Sequence, residues 1–324
     1  MENKFGMKLA PILIQVYTRT QHFMNCVESL SQCRLADQSH LFIVSDAPKT
    51  EKDKKAVEEI RAYCRNIKGF AKVEIIAHET NLGADESGNR AVKRVFSEYD
   101  TMIYTEDDNV FSPNFLEYMN AGLSFYNNNP HVFAICGYRH PFVMPSKYPY
   151  SVFTSTMTAA WGVGWWKEKQ GAVDFTKTDY CKRKVKKKMA HLWHLLMASG
   201  NVYGDAYMAY HCLKNNMVNI FPIISLVRNE GNDGSGMNCG VAPKFATQEI
   251  GSGNEQFTFI EDLNIDRTIE KRLMDAIDFP FQIGYRLFYA KLRFKLAMTI
   301  KMPIRNFVIK HSSLNKLYHF LKNK

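Results

Sequence analysis

Short apolar runs alternate with amphipathic segments along the first third of the chain. Runs rich in β-branched and aliphatic residues predict buried strands at 11–17, 40–48, 72–78 and 101–105. The segments between them repeat apolar residues at helical spacing and predict helices at 21–34, 50–67 and 84–99. Thr50 is expected to be the N-cap of the second helix. The predicted order is therefore β-α-β-α-β-α-β.

Strands that alternate with helices predict an α/β fold with a mostly parallel sheet flanked by helices. In such a sheet the carboxyl ends of the strands share one edge, and ligands bind beyond that edge. Polar segments follow all four predicted strands: Thr18-Arg19, Asp46, the loop 78–87 and the acidic triplet Glu106-Asp107-Asp108. We therefore expect these segments to meet at one site.

The order of elements changes after the acidic triplet. Ser112 and Pro113 predict a helix start, as N-cap and first helical residue, and apolar runs predict strands at 131–138 and 218–229. The remaining segments are an apolar stretch that ends in a Gly/Trp loop at 161–166, a helix at 200–216 and a glycine-rich loop at 230–240.

The composition is that of a globular protein, with 46% hydrophobic and 23% charged residues. The seven cysteines are scattered and form no CxxC pair, which favours a reducing compartment. The N-terminus lacks the pattern of a signal peptide, and no window has the ~18 apolar residues of a membrane span. These features predict a cytoplasmic protein.

The acidic triplet is the strongest chemical signal in the chain. Adjacent carboxylates raise one another's pKa unless a cation lies among them. Mg²⁺ or Mn²⁺ resolves that conflict by taking one or two carboxylates and completing its shell with substrate phosphates. The ion would then stabilise the charge of a phosphate group. The alternative is a solvated acidic turn before a helix, where the helix dipole favours negative charge.

The stretch YTEDDNVFSPNFLEYMN resembles the DxD-type motif of GT-A-fold glycosyltransferases. Its EDD form is similar to that of the Golgi N-acetylglucosaminyltransferase that starts complex N-glycans and of bacterial sugar transferases. Further segments match the family in the same order over roughly residues 9 to 245: VYTRT, IVSDAP, NLGADESGNRAVK, AWGVGWW, YGDAYMAY and SLVRNEGNDGSGMNC. The resemblance implies a Rossmann-like GT-A catalytic domain at 1–265, followed by a basic tail at 266–324.

The resemblance also implies an activity. A hexosyl- or N-acetylhexosaminyltransferase would move a sugar, by inversion, from a nucleotide-diphosphate sugar, with UDP-sugars favoured, to a hydroxyl of a glycan or glycolipid. The implied role is in bacterial surface polysaccharide or lipopolysaccharide synthesis. Asp108 is implied as the ligand of Mn²⁺ or Mg²⁺ and Asp205 as the catalytic base. The implied donor-binding residues are Arg19, Asp46, Asn81, Arg90, Glu106, Asp107, Trp161 and Trp165, with Gly83 and Asn89 in the same segment as Asn81 and Arg90.

Each implied role has a structural alternative. Asp205 stands where acids commonly cap a helix, and Asp46 stands where they commonly form a turn before Pro48. The two arginines have the alternative of surface charges, and the tryptophans that of core aromatics. Asn238 also departs from the bacterial relatives, which have a histidine there. If that histidine binds metal in the relatives, either the metal affinity of this chain is weaker or the ligand comes from elsewhere.

Two other functions stay open from the sequence. A sugar-nucleotide pyrophosphorylase shares the nucleotide-binding topology, but it requires a G-x-G-T-R-type loop after the first strand, and VYTRTQHF has no glycine. A nucleotide-sugar-binding protein without catalysis is the other alternative. An effect of an Asp108 variant on activity separates it from an enzyme.

The basic residues are concentrated at the C-terminus. From residue 267 onward the chain holds thirteen Lys and Arg against three acids, so this tail accounts for the whole net charge of +10. Bases mixed with aromatic and aliphatic residues predict peripheral association with the anionic inner face of the cell membrane. A lysine-rich run at 177–196 predicts either a solvated helix face or a contact with an anionic acceptor. No nucleic-acid motif accompanies this charge, so no nucleic-acid partner is expected.

Overall fold

The computed structural model describes residues 9–175, 204–236 and 242–277, and single positions of the tail. The strands are β1 (Ile12–Val16), β2 (His40–Ser45), β3 (Lys72–Ala77), β4 (Thr101–Glu106), β5 (Asn109–Phe111), β6 (Val132–Cys136), β7 (Val152–Ser155), β8 (Val163–Trp166), β9 (Val218–Pro222) and β10 (Val227–Asn229). The helices are α1 (Thr20–Ser31), α2 (Lys54–Cys64), α3 (Ala84–Phe96), α4 (Phe115–Phe125), α5 (Lys167–Gly171) and α6 (Gly204–Asn215), with two further helices at Pro243–Ala246 and Arg267–Ile277. Short 3-10 turns lie at Ala36–Gln38 and Glu51–Asp53.

Eight strands form one sheet in the order β3-β2-β1-β4-β8-β6-β9-β7. The first four strands of this order are parallel, as the sequence predicts, and β6 pairs with β9 in parallel as well. β8 is antiparallel to β4 and β6, and β7 is antiparallel to β9. The prediction of an α/β fold with a mostly parallel sheet flanked by helices is confirmed.

Most residues of the central strands are buried, which explains why their sequences are largely apolar. Ile12, Leu13 and Ile14 of β1 are fully buried, because helices cover a parallel sheet on both faces. The edge strand β3 is only half-buried and carries Lys72 and Glu74. Charged side chains on an edge oppose pairing with another chain.

The predicted Gly/Trp loop is wrong in its second half, because Val163–Trp166 is the central strand β8. Gly164 lies directly under α4, where a Cβ atom would stand 3.1 Å from Met119 and 3.2 Å from Leu123. Glycine here favours close packing of a helix on the sheet and does not mark a turn.

Two boundaries near the site differ from the predicted ones. The helix predicted to start at Ser112 begins at Phe115, with Asn114 as its N-cap, and Ser112 Oγ donates to Asn114 Oδ1 over 2.7 Å instead. The late strand predicted at 218–229 divides into β9 and β10. β10 leaves the main sheet and pairs antiparallel with β5, directly after the acidic triplet. Thr50, the predicted N-cap of the second helix, caps the 3-10 turn Glu51–Asp53 in a capping box with Asp53, and α2 begins after that turn with Asp53 as its N-cap.

The helix Arg267–Ile277 packs on the part of the chain that precedes it, since Ile269 and Leu273 are fully buried. Arg272 Nη1 donates to the Val143 carbonyl over 2.6 Å. The predicted division at residue 265 stays a prediction. Within the described ranges, none of the helices combines the length and the apolar character needed to cross a membrane. The lysine-rich run, Asn238 and most of the tail lie outside the described residues.

Candidate active site

The loops after β2 and β3 are joined at the carboxyl edge of the sheet by two predicted site residues. The Asp46 carboxylate accepts hydrogen bonds from the backbone amides of Ala47, Leu82 and Gly83, at 2.8 to 3.2 Å. Asn81 Nδ2 donates to the Ala47 carbonyl over 2.7 Å. Gly83 precedes α3 with a φ of +77°, a conformation that favours glycine. Both side chains therefore shape the rim, and their donor-binding role stays a prediction.

Arg19, which follows β1, lies between the two aspartates that follow β4. Its Nη2 atom contacts Asp107 Oδ1, and its Nη1 atom lies 2.7 Å from Asp108 Oδ2. Both aspartates are buried, at 5% and 4% exposure. Burial disfavours the charged guanidinium, but the two carboxylates outweigh it and raise the pKa of Arg19. The predicted meeting of the first and fourth strand ends is thus realised as a buried ion-pair network.

Asp108 is held from its other side by the loop after β10. Asn229 Nδ2 donates to Asp108 Oδ1 over 2.7 Å, while Asn229 Oδ1 accepts from the Gly231 amide at 3.2 Å and from Asn232 Nδ2 at 2.7 Å. Gly231 packs so closely that a Cβ atom there would overlap Asp108 Oδ2. Sequence reasoning missed Asn229 and Gly231 as site residues, although both stand in the quoted SLVRNEGNDGSGMNC segment.

Replacing Asn229 by alanine is expected to lower the free energy of unfolding by about 1–3 kcal/mol. The variant leaves buried Asp108 Oδ1 without its donor and the Gly231 amide without its acceptor, and unsatisfied buried polar groups cost about that much. Urea unfolding of the full chain measures the change. Asn66→Ala is the control, because the Asn66 side chain is exposed and donates only to the Ala62 carbonyl of its own helix region. Equal stability of the two variants would contradict this role of Asn229.

Asp205 completes the site from the first turn of α6. Its carboxylate accepts a hydrogen bond from the Ala160 amide, and burial raises its pKa to about 6. Burial raises the pKa of Glu106 further, to about 8, with additional contributions from the negative charges of Asp108, Asp205 and Asp107. Asp205 and the acidic triplet therefore share one electrostatic environment. We call Arg19, Glu106, Asp107, Asp108 and Asp205 the acidic centre.

The remaining predicted residues lie at different distances from the acidic centre. Trp165 is buried in β8 and stacks on Tyr104 with ring centroids 5.5 Å apart. Trp161 is half-buried. It follows Ala160, whose amide donates a hydrogen bond to the Asp205 carboxylate. Arg90 is exposed on α3, where its Nε donates to Glu86 Oε1 over 2.8 Å.

A histidine that sequence reasoning did not assign connects α1 to the DGSG loop. His22 Nε2 lies 3.3 Å from Asp233 Oδ2, and Asp233 Oδ1 accepts from the amide and the hydroxyl of Ser235. This contact places the start of the loop beside the helix that follows Arg19. The sequence indicated this loop only through its DGSG segment, and the contact with His22 could not be predicted from residue spacing.

The oxygen atoms of the acidic centre are suitable ligands for a divalent cation. Carboxylate oxygens are the ligands that Mg²⁺ and Mn²⁺ prefer, and the carboxylates here outnumber the single guanidinium. In the described part of the chain, no group of three or more His, Cys, Asp or Glu side chains is placed to hold a metal ion. A cation would therefore use Asp108, with Asp107 beside it, and complete its shell with substrate phosphate and water. Arg19 occupies the facing oxygens and must then move aside.

Comparison with known proteins gives structural matches only. Neither a protein-family model nor a curated protein sequence matches the chain. One similar solved structure is the mannosyltransferase PcManGT from Pyrobaculum calidifontis in complex with GDP-Man and Mn²⁺, with a TM-score of 0.35 and 12% identity over 49% of this chain and 44% of that one. Another is S. aureus TarS, with a TM-score of 0.33 and 15% identity over 48% and 28%. TarS 1-349 in complex with UDP-GlcNAc gives 0.33 and 16% over 48% and 45%. The matches span less than half the length of each of these chains.

Proposed function

We propose that the chain is a GT-A-type glycosyltransferase that uses a nucleotide-diphosphate sugar, with UDP-sugars the first candidates. The sugar, a hexose or N-acetylhexosamine, passes with inversion to a hydroxyl of a glycan or glycolipid. The observation that carries the proposal is the convergence of Glu106, Asp107, Asp108 and Asp205 beyond the carboxyl edge of the parallel strands. That edge is where α/β sheets bind nucleotides. The resemblance of the EDD and DGSG segments to sugar transferases supports the same conclusion.

The proposed mechanism divides the acidic centre into two parts. Asp205 takes the proton of the acceptor hydroxyl as that oxygen attacks the anomeric carbon, and the nucleoside diphosphate leaves from the opposite face. Its pKa of about 6 suits a base that is ionised at neutral pH. Asp108, with Asp107 beside it, would hold Mn²⁺ or Mg²⁺, and the ion would supply the positive charge that a leaving diphosphate requires. Glu106 lies between the two parts, near the transferred sugar or the ribose.

The proposed setting is the synthesis of a bacterial surface polysaccharide or lipopolysaccharide. The basic tail from residue 266 onward would hold the enzyme on the anionic inner face of the membrane, where lipid-linked acceptors are found. Asp46, Asn81, Arg90, Trp161 and Trp165 stay predicted donor-binding residues.

Release of nucleoside diphosphate from a panel of nucleotide sugars tests the proposed function. We expect slow hydrolysis of one donor in the presence of Mn²⁺ or Mg²⁺, and its loss with EDTA. Some transferases hydrolyse no donor unless their acceptor is present. Calorimetry with the same panel therefore measures donor binding directly. Absence of both hydrolysis and metal-dependent donor binding would overturn the proposal. Donor binding without transfer to any glycan would favour a binding protein, and formation of a nucleotide sugar from a sugar phosphate would favour a pyrophosphorylase.

A further inference from the structure

A second group of buried polar atoms lies at the end of β6, outside the acidic centre. The Arg139 guanidinium stands 4.6 Å from the Phe142 ring centroid, and its Nη1 atom donates to the Phe142 carbonyl over 2.6 Å. Its Nε atom is buried and has no hydrogen-bond partner among the described residues. Burial lowers the pKa of this arginine, against the usual tendency of arginine to seek solvent or an acid.

His140, the next residue, is enclosed by aromatic rings. Its ring lies 5.0 Å from Tyr138, 6.4 Å from Trp161 and 6.5 Å from Phe245, measured between centroids. The Nδ1 atom is buried and has no partner in the described ranges. Burial, then the positive charges of Lys244 and Arg139, lower the pKa of His140 to about 3. The ring is therefore neutral and can present an N–H at Nδ1.

Among the described residues, this group has positive charge without a counter-ion. Lys244 is exposed, with Nζ 4.9 Å from the Phe245 ring centroid, and its charge and that of Arg139 both lower the pKa of His140. Across residues 9–175, 204–236 and 242–277, neither Arg139 nor Lys244 forms an ion pair with a carboxylate. A partly buried cation without a partner is unfavourable, and an anionic ligand would remove that penalty.

The group adjoins the candidate base through two consecutive residues. Trp161 packs edge-on against Tyr138, at 4.7 Å, and against Phe245, at 5.6 Å. The amide of the preceding residue, Ala160, donates a hydrogen bond to the Asp205 carboxylate. A ligand whose anionic group contacts Arg139 and His140 could thus extend along Trp161 toward Asp205.

We propose that Arg139, His140 and Lys244 form a subsite for an anionic group, a phosphate or a carboxylate, carried by the acceptor. Arg139 Nε and His140 Nδ1 donate hydrogen bonds to its oxygens, and Lys244 supplies charge from the solvent side. Anion binding at this subsite follows from the cluster alone, whereas its assignment to the acceptor rests on the proposed function, because Asp205 defines where the acceptor hydroxyl must stand.

Calorimetry with the full chain and two probes, inorganic phosphate and glucuronate, tests the subsite. UDP and Mn²⁺ are present throughout, so that the donor site is not available to phosphate. We expect phosphate or glucuronate to bind, and Lys244→Gln to weaken binding about tenfold, as loss of a charged contact does. Lys68→Gln is the matched control, because Lys68 is also exposed and follows α2 on the far side of the sheet. The tighter of the two probes identifies the chemistry of the natural group.

Arg139→Gln provides the second variant, with its melting temperature as a check on folding, and is expected to weaken binding further. Equal binding by wild type and Lys244→Gln, or no binding of either probe to wild type, would overturn the subsite. These outcomes are separable from failure of the proposed function, which appears as absent donor binding. A subsite that binds phosphate in a chain that binds no donor would stand as an anion site without an acceptor role.

Discussion

Asp205→Asn is expected to reduce sugar transfer by about 10²–10⁴-fold and to leave donor binding unchanged, because it removes the proposed general base and no proposed donor contact. Asparagine can still accept the hydrogen bond of the Ala160 amide through Oδ1. The fold of the site should therefore be retained, while the proton acceptor is lost. Turnover with a competent acceptor and calorimetric donor affinity measure the two effects separately.

The pH profile gives this prediction a second readout. Burial raises the pKa of Asp205 to about 6, so wild-type kcat/KM should rise with pH through about 6, as the carboxyl group loses its proton. The titratable groups that face it are Glu106 and Tyr104 of β4 and Cys136 of β6, all of which are affected by its charge. Burial also raises the pKa of Asp107 to about 6, so the wild-type pH profile alone does not identify the base. The profile of Asp205→Asn decides between the two carboxyl groups. Asp37→Asn, on an exposed turn, is the control; full activity of Asp205→Asn would remove the base assignment.

The first half of the fold could be predicted because its strands are buried on both faces. Continuous apolar runs separated by amphipathic segments leave few alternatives to a parallel sheet, and the predicted strands start within one residue of β1 to β4 and end within three. The insertion of β8 between β4 and β6 could not be predicted in this way. Such a pairing depends on contacts distant in sequence. Gly164 also gives β8 the local appearance of a loop, although its lack of a side chain serves packing under Met119.

The site could be predicted only as far as topology brings residues together. The carboxyl ends of β1 and β4 must be neighbours, which accounts for the contact of Arg19 with Asp107. The contact of Asn229 with Asp108 depends on β10 leaving the main sheet to pair with β5, which no local pattern indicates. The resemblance of a sequence segment to a family also does not determine on which face of a helix a given residue lies.

Arg90 illustrates the last point. Gly88 packs against Gln15, where a Cβ atom would stand 2.6 Å from Oε1, so this side of α3 faces β1. Two residues later the helix has turned by about 200°, since each residue advances it by about 100°. Arg90 accordingly points away from Gln15 and pairs with Glu86 on the exposed side.

Loss of the Asp108 carboxylate is expected to reduce metal-dependent donor turnover by about 10²–10³-fold, the equivalent of several kcal/mol of charge stabilisation. Asp108 is the better placed of the two aspartates, because Asn229 fixes Oδ1 and leaves Oδ2 for a cation once Arg19 withdraws. Donor hydrolysis and donor affinity of Asp108→Ala with Mn²⁺, Mg²⁺ or EDTA measure the effect. The control is Asp262→Ala, an exposed carboxylate outside the site. A variant that keeps the EDTA-sensitive activity of wild type would contradict the assignment.

Arg19→Met tests whether the carboxylates of Asp107 and Asp108 bind a metal ion in turn with Arg19 or are paired with Arg19 permanently. If a metal ion and Arg19 alternate at Asp107 and Asp108, the variant leaves two buried like charges without a cation and should be less stable in EDTA. Mn²⁺ should then raise its melting temperature more than that of wild type, since a ligand that binds only the folded state stabilises by RT ln(1 + [L]/Kd) and no longer competes with the guanidinium. If Arg19 is a permanent counter-ion instead, Mn²⁺ will not raise the melting temperature of wild type. The donor diphosphate would then have to be held by cationic side chains, and the acidic triplet would function without a metal.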